Sequence, residues 1–192
     1  MTKAGGEEGR TQAREGMTAG QPVRIADYDA RWASMFEEAR AEIVSRCGAL
    51  VVAVEHVGST SVPGLAAKPI IDIMAAVERL DDAQALIEPL AALGFEYVPK
   101  NETPDRRFFR RGLRGAGTHH LHVVEHGSCE WRRHLLFRDH LRAHPERAAD
   151  YERLKRELAA AHGPDRGAYT DAKTPFIESV IERALAEEAV SH

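Results

Sequence analysis

The sequence predicts an α/β (α+β) domain whose mixed, mostly antiparallel sheet of about five strands is flanked by helices. Three observations carry this. Short β-branched and apolar runs recur at Val51–Val57, Ile70–Met74 and Phe95–Val98, with Gly or Pro punctuating their ends. Arg106–Leu113 and His119–Glu125 read as two antiparallel strands joined by a Gly115-Ala116-Gly117 turn. Apolar residues at helical spacing fill much of the remaining chain, and 192 residues suffice for one core.

The first 21 residues are rich in Gly, Glu, Thr and Arg and have almost nothing to bury. They predict a disordered tail over 1–21, with a single domain over 22–192. The domain begins with an extended arm, Val23-Arg24-Ile25, followed by Asp27 or Asp29 as cap of a helix bearing Trp32, Met35, Phe36, Ala39 and Ile43. Asp81 and Gln84 predict a capping box at the start of a second helix, which buries Leu86, Ile87, Leu90 and Leu93 and stops at Gly94. A polar loop over Pro99–Asp105 precedes the strand pair. Ser128 caps a helix over Cys129–Ala143, and Pro145 opens the next, with Tyr151, Leu154 and Leu158 on its buried stripe. Ala168–Thr174 leads into a last amphipathic helix through Phe176, Ile177, Val180, Ile181 and Leu185.

Composition narrows the function classes. A net charge of −4 implies neither a nucleic-acid nor a membrane-surface partner. Cys47 and Cys129 have neither metal-finger nor redox-pair spacing, and fit a reducing compartment as small hydrophobes. No apolar run approaches a membrane span, and the N-terminus lacks the apolar core of a signal peptide. The expected location is the cytoplasm.

The chemistry concentrates in VVAVEHVGSTSVPGLAAKPIIDIMAAV, residues 51–77. Gly58 turns the chain sharply, and Ser59, Thr60 and Ser61 then place hydroxyls beside exposed backbone N–H groups, which suits an anion. Lys68 adds a cation. Asp72 is a carboxylate inside an apolar strand, where it requires a metal, a cation or hydrogen-bond donors. In Thr118–Glu125 the period of two puts His120 and His122 on one face, an arrangement shared by metal sites and by ordinary hydrogen-bonded histidines. The basic run Arg106, Arg107, Arg110, Arg111 reads as solvated edge charge, with Arg110 the candidate to reach a phosphate. Lys155 lies beside a helical stripe. Lys173 stands where its charge opposes a helix macrodipole, so it too is a candidate phosphate ligand.

Ser59 and Asp72 have twelve residues between them, the layout of a nucleotidyltransferase signature. HVGSTSVPGLAAKPIIDI resembles the signature of the GrpB family, whose fold is nucleotidyltransferase-like. The resemblance continues from about Ile25 to about Leu185 through YDARW, HHLHVVE, EWRRHLLFRDHLRAHPE, YERLKREL and AKTPFIESVI. It implies an NTP as substrate or ligand, Mg²⁺ or Mn²⁺ as cofactor, and a small-molecule nucleotide as partner. It also implies that the His120/His122 strand lies beside the Asp72 strand, with His122 where a third metal carboxylate is usual. The second acid position, two residues after Asp72, is Met74, which cannot bind a hard cation. Glu55 and His56 alternate faces just before Gly58, so at most one of them joins Asp72 as a ligand, and His56 is the favoured one. Three readings follow: nucleotidyl transfer to an unidentified acceptor, with Asp72 catalytic; a nucleotide- or phosphate-binding auxiliary or chaperone-like domain without transfer; and a histidine-metal hydrolase. Family domains also occur fused to dephospho-coenzyme A kinase, which bears on the second.

Overall fold

The computed structural model describes residues 22–113, 116–162 and 165–190. The tail expected over 1–21 lies outside them, as do Arg114 and Gly115 of the expected turn. Helix α1, Arg31–Cys47, buries Trp32, Phe36, Ala39, Ile43 and Cys47 along one stripe. Asp29 organises its first turn by accepting the Arg31 backbone N–H at 2.9 Å. The segment before it forms no strand; it buries Val23 and is joined to the domain by a bridge between Ala26 and Ala67 and by the pairing of Asp27 with Arg156.

Five strands follow: β1 Ala53–Val57, β2 Ile71–Val77, β3 Phe95–Tyr97, β4 Arg106–Arg111 and β5 His119–Glu125. They are ordered β1-β2-β5-β4-β3. Every neighbouring pair is antiparallel except β2 and β5. That parallel pair requires a crossover, supplied by a 3-10 segment at Leu80–Leu86, helix α2 at Ile87–Ala92, β3 and β4. The capping box expected at Asp81 does not form. The Asp82 N–H bonds to the carbonyl of Arg79 at 2.9 Å, which tightens the turn to 3-10 geometry, and Ala83 and Leu86, three apart, are both buried. Gly94, at φ +80°, ends α2 as the sequence predicts.

Alternation along the strands divides the sheet into two faces. Ile71, Ile73, Ala75, Val77, Leu121, Val123 and Phe109 pack with α1 and the α2 region into the main core. The opposite face carries Val57, Asp72, Met74, His120 and His122, and is covered by α3 (Cys129–Ala143), α4 (Pro145–His162), α5 (Arg166–Asp171) and α6 (Thr174–Val190). These helices have their own core around Leu65, Phe137, Leu141, Tyr151, Val180 and Ile181. Helix α5, unanticipated as a helix, is started by Asp165, whose carboxylate accepts the N–H groups of Gly167 and Ala168 at 3.0 Å each. No described helix is long and apolar enough to cross a membrane.

Two arginines of α3 pin the helical layer to the sheet. Arg138 donates to the Glu55 carboxylate at 2.6 Å and to the carbonyl of His56 at 3.1 Å. Arg142 donates to the carbonyl of Ser61 at 2.8 Å. Arg138 is largely buried, its side chain only 11 % exposed, so truncation leaves acceptors on β1 without a donor. Arg138→Ala is expected to lower unfolding free energy by about 2 kcal/mol, measured by urea denaturation. An unchanged midpoint would mean that water replaces the guanidinium at no cost.

Candidate functional site

Between the sheet and the helical layer lies a cavity of about 510 Å³, lined by the Gly58 bend, Asp72, His120, His122 and residues of α3 to α6. Register builds its centre. Asp72 stands opposite His120 in the parallel β2/β5 pair, and Nδ1 of His120 lies 3.1 Å from Asp72 Oδ1. Nε2 of His122 lies 4.0 Å from the same oxygen. Oδ2 faces Gly58, where a Cβ would sit 2.5 Å from that oxygen, and the bend holds φ at +68°. Glycine is therefore required there both for its backbone conformation and for room. The Asp72 side chain is 30 % exposed and opens into the cavity. Burial alone would raise its pKa, but the interactions with His120 and His122 prevail and hold it well below the usual carboxylate range. His122 is pushed the other way, to about 4, chiefly by burial. That shift favours the neutral imidazole, and its buried Nδ1 has no hydrogen-bond partner among the described residues.

The three hydroxyls after the bend separate in role. Ser61 Oγ donates to the carbonyl of Gly58 at 2.6 Å, closing the turn. Thr60 lines the cavity, but its hydroxyl donates to the carbonyl of Ile70 at 3.2 Å and lies 3.1 Å from Nε2 of His56. Ser59 remains, its hydroxyl against the phenol of Tyr151.

One wall of the cavity is basic. Lys68 and Lys173 lie over the ring of Tyr169, at 5.7 and 4.6 Å from its centroid. Lys155 lies 4.7 Å from the centroid of Tyr151 and donates to the carbonyl of Ala66. Among the described residues, no carboxylate is within 4.0 Å of any of the three ammonium groups. Burial, then the charge of Lys173, lowers Lys155 to about 7. Burial, then the charge of Lys68, lowers Lys173 to about 8. Burial also lowers Lys68.

The other wall mixes charges. Glu130 Oε1 lies 3.4 Å from Nε2 of His134 and accepts from Arg106 at 3.5 Å. Arg133 pairs with Glu178. The family model of the GrpB protein matches residues 22–183. The chain belongs to the GrpB family. It is 38% identical over 162 residues to the UPF0157 protein YqkA of Bacillus subtilis, covering 84% of this chain and 47% of that protein. It is 32% identical over 187 residues to a dephospho-CoA kinase of Mycolicibacterium paratuberculosis, covering 85% of this chain and 46% of that one. The chain thus spans about half the length of each of these two relatives. The crystal structure of conserved protein GrpB from Enterococcus faecalis matches with a TM-score of 0.79 at 36% identity, covering 86% of this chain and 99% of that one.

Of the site residues that the sequence predicts in this GrpB chain, Gly58, Ser59, Thr60, Lys68, Asp72, His120, His122, Lys155 and Lys173 all line the one cavity. Two do not. His56 projects from the opposite face of β1, stacked on Phe36 at 4.7 Å, because strand alternation turns it away from Asp72. Arg110 is held by Glu96 of β3 at 2.7 Å on the outer strands. The arginines that do line the cavity are Arg106 and Arg133. Sequence reasoning also missed Tyr151 and Tyr169 as wall residues and Glu130 and His134 as an acid–imidazole pair. The pair had a signal: Glu130, Arg133, His134 and Phe137 recur at i, i+3, i+4 and i+7, one face of α3.

The donor set does not fit two Mg²⁺ or Mn²⁺ ions. Hard cations require several oxygens, and the second acid position is Met74, fully buried against Val57, Ala76 and Trp131. Asp72, His120 and His122 converge pairwise, but among the described residues the only three donors within 4.8 Å of one another lie elsewhere.

His122 and His56 are both held near 4, against about 6.5 in an unfolded chain. Between these values the unfolded chain binds more protons than the folded one, so stability rises with pH through the window. Acidifying from about pH 7 to about pH 4 is expected to remove about 3 kcal/mol for each imidazole. His122→Asn is expected to reduce that pH dependence by about half, measured by urea unfolding across the range.

Proposed function

We propose that this GrpB chain binds a nucleotide or a closely similar phosphorylated small molecule in the cavity. Its phosphates rest against Lys68, Lys155 and Lys173, and the chain acts as a binding domain without two-metal nucleotidyl transfer. The observation that carries the reading is the cluster of three partly desolvated ammonium groups with no carboxylate within ion-pair distance among the described residues. Desolvated like charges repel one another, and an anionic ligand supplies the missing countercharge. Phosphate is the anion class best matched, because Ser59 and the positive-φ bend at Gly58 add short-range donors beside the lysines. A volume of about 510 Å³ admits more than inorganic phosphate and falls in the usual range for small-molecule sites. Tyr151 and Tyr169 offer aromatic surface for the rest of the ligand.

The similarity to a dephospho-CoA kinase supports a nucleotide-like ligand. Nucleotidyl transfer is the weaker reading because Met74 leaves Asp72 as the sole strand carboxylate facing the cavity. Any Mg²⁺ or Mn²⁺ would then enter with the ligand's own phosphate oxygens, and no transfer step follows from the residues present.

Calorimetric titration with ATP, coenzyme A and inorganic phosphate tests the reading. At least one nucleotide-containing ligand is expected to bind saturably, and Lys173→Gln and Lys68→Gln are each expected to weaken it about tenfold or more, about 1.4 kcal/mol. Only protonated lysines attract phosphate, so affinity is expected to fall as pH rises from about 6 to about 9, with proton uptake on binding near pH 8. Absence of saturable binding by every ligand overturns the proposal. Transfer of an α-phosphate label that is lost in Asp72→Asn would replace it with the transferase reading.

A further inference from the structure

A second cluster stands apart from the cavity. His140 in the last turn of α3, His144 at its C-cap and Glu187 of α6 each offer a donor atom within 4.8 Å of the other two. Oε2 of Glu187 lies 3.3 Å from Nδ1 of His140 and 3.3 Å from Nε2 of His144. Four residues apart on one helix, the two imidazoles stack with centroids 4.1 Å apart and planes inclined by 26°. The side chain of His140 is 3% exposed, and those of His144 and Glu187 are 33% and 55% exposed. The group is therefore anchored on the inside and open on the outside. None of its members lines the cavity of the proposed nucleotide site.

The second nitrogen of His144 fixes its chemistry. Nδ1 lies 3.3 Å from Oε1 of Glu146, the carboxylate–histidine arrangement that orients metal-binding imidazoles. When Nδ1 carries the ring proton toward Glu146, Nε2 presents a lone pair to the Glu187 carboxylate. Two acceptors 3.3 Å apart repel unless a metal ion, or a proton on the imidazole, lies between them. The two distances to Glu187 also agree: bonds of about 2.0–2.2 Å around a tetrahedral ion place its ligand atoms about 3.3–3.6 Å apart.

We propose that His140, His144 and Glu187 form a binding site for a divalent transition metal of the zinc class, which fastens the end of α3 to α6 and leaves one coordination position to water. Two imidazoles and one carboxylate are a zinc donor set and a poor one for Mg²⁺ or Ca²⁺. Glu146 acts as a positioning residue through His144.

The test uses the full chain, stripped with a chelator, dialysed and titrated with zinc chloride by calorimetry and by thermal unfolding. One zinc per chain at micromolar or tighter affinity is expected, with a rise in Tm and, for cobalt in its place, the visible bands of a low-symmetry site. Glu187→Gln, at an exposed position, and His144→Gln, at a half-buried one, are each expected to weaken zinc by tenfold or more, and Glu146→Gln by about tenfold. Asp72→Asn is expected to leave zinc affinity unchanged. Failure of the stripped protein to bind zinc overturns the proposal and leaves a proton-bridged cluster. Unchanged affinity in both Glu187→Gln and His144→Gln also overturns it, as does loss of zinc in Asp72→Asn.

Discussion

The placement of one carboxylate governs this molecule's chemistry. Asp72 is held from two sides: Gly58 packs against Oδ2 with no room for a Cβ, and His120 reaches Oδ1 across the parallel strand pair. Neither contact is local in sequence. The first depends on the antiparallel β1/β2 register, in which Val57 stands opposite Asp72. The second depends on a crossover of about forty residues returning β5 beside β2 in a single register. A slip by one residue would turn Asp72 into the apolar core beside α1 and bring Ile71 or Ile73 to the cavity. Fully buried apolar side chains on the other face of β2 and β5 make that slip costly. The hydrophobic core thus fixes the position of the acid.

The helical layer contributes the opposite charge. Lys155 comes from α4, Lys173 from the junction of α5 and α6, and Lys68 from the connector between β1 and β2. Their ammonium groups lie over the rings of Tyr151 and Tyr169, so cation–π attraction offsets part of their desolvation. Asp72 raises the pKa of both Lys68 and Lys173 but lies beyond ion-pair distance of either. The cavity is therefore polarised, with lysines and tyrosines on one wall and imidazoles, Glu130 and two arginines on the other.

Much of this was legible in the sequence because it follows from short-range rules. Alternation in HHLHVVE put His120 and His122 on one face, and Gly58 announced a close approach that proved to be the approach of Asp72. Failures came where a residue's partner is distant in sequence. The same alternation excludes His56 once β1 is known to present Val57 and Glu55 to the Asp72 side. Arg110 is claimed by Glu96 through β3/β4 pairing that no local pattern encodes. The capping box at Asp81 was overridden by the tight turn from Arg79. Tyr151 satisfied a helical stripe, and periodicity does not distinguish a core tyrosine from one that walls a cavity, while Tyr169 fell in the lead-in to the last helix.

The position two residues after Asp72 separates the competing readings most sharply. A second acid there would share the face of Asp72. Met74 instead lies in a dry cluster with Val57, Ala76, Val124 and Trp131, and Trp131 belongs to α3, the helix that Arg138 and Arg142 pin to the sheet and the bend. A carboxylate at 74 would put an unpaired charge into that cluster. Met74 therefore cannot be exchanged for an acid without disturbing the attachment of the helix that supplies Glu130, Arg133 and His134 to the cavity. The packing that secures the helical layer is the same packing that withholds a second metal ligand.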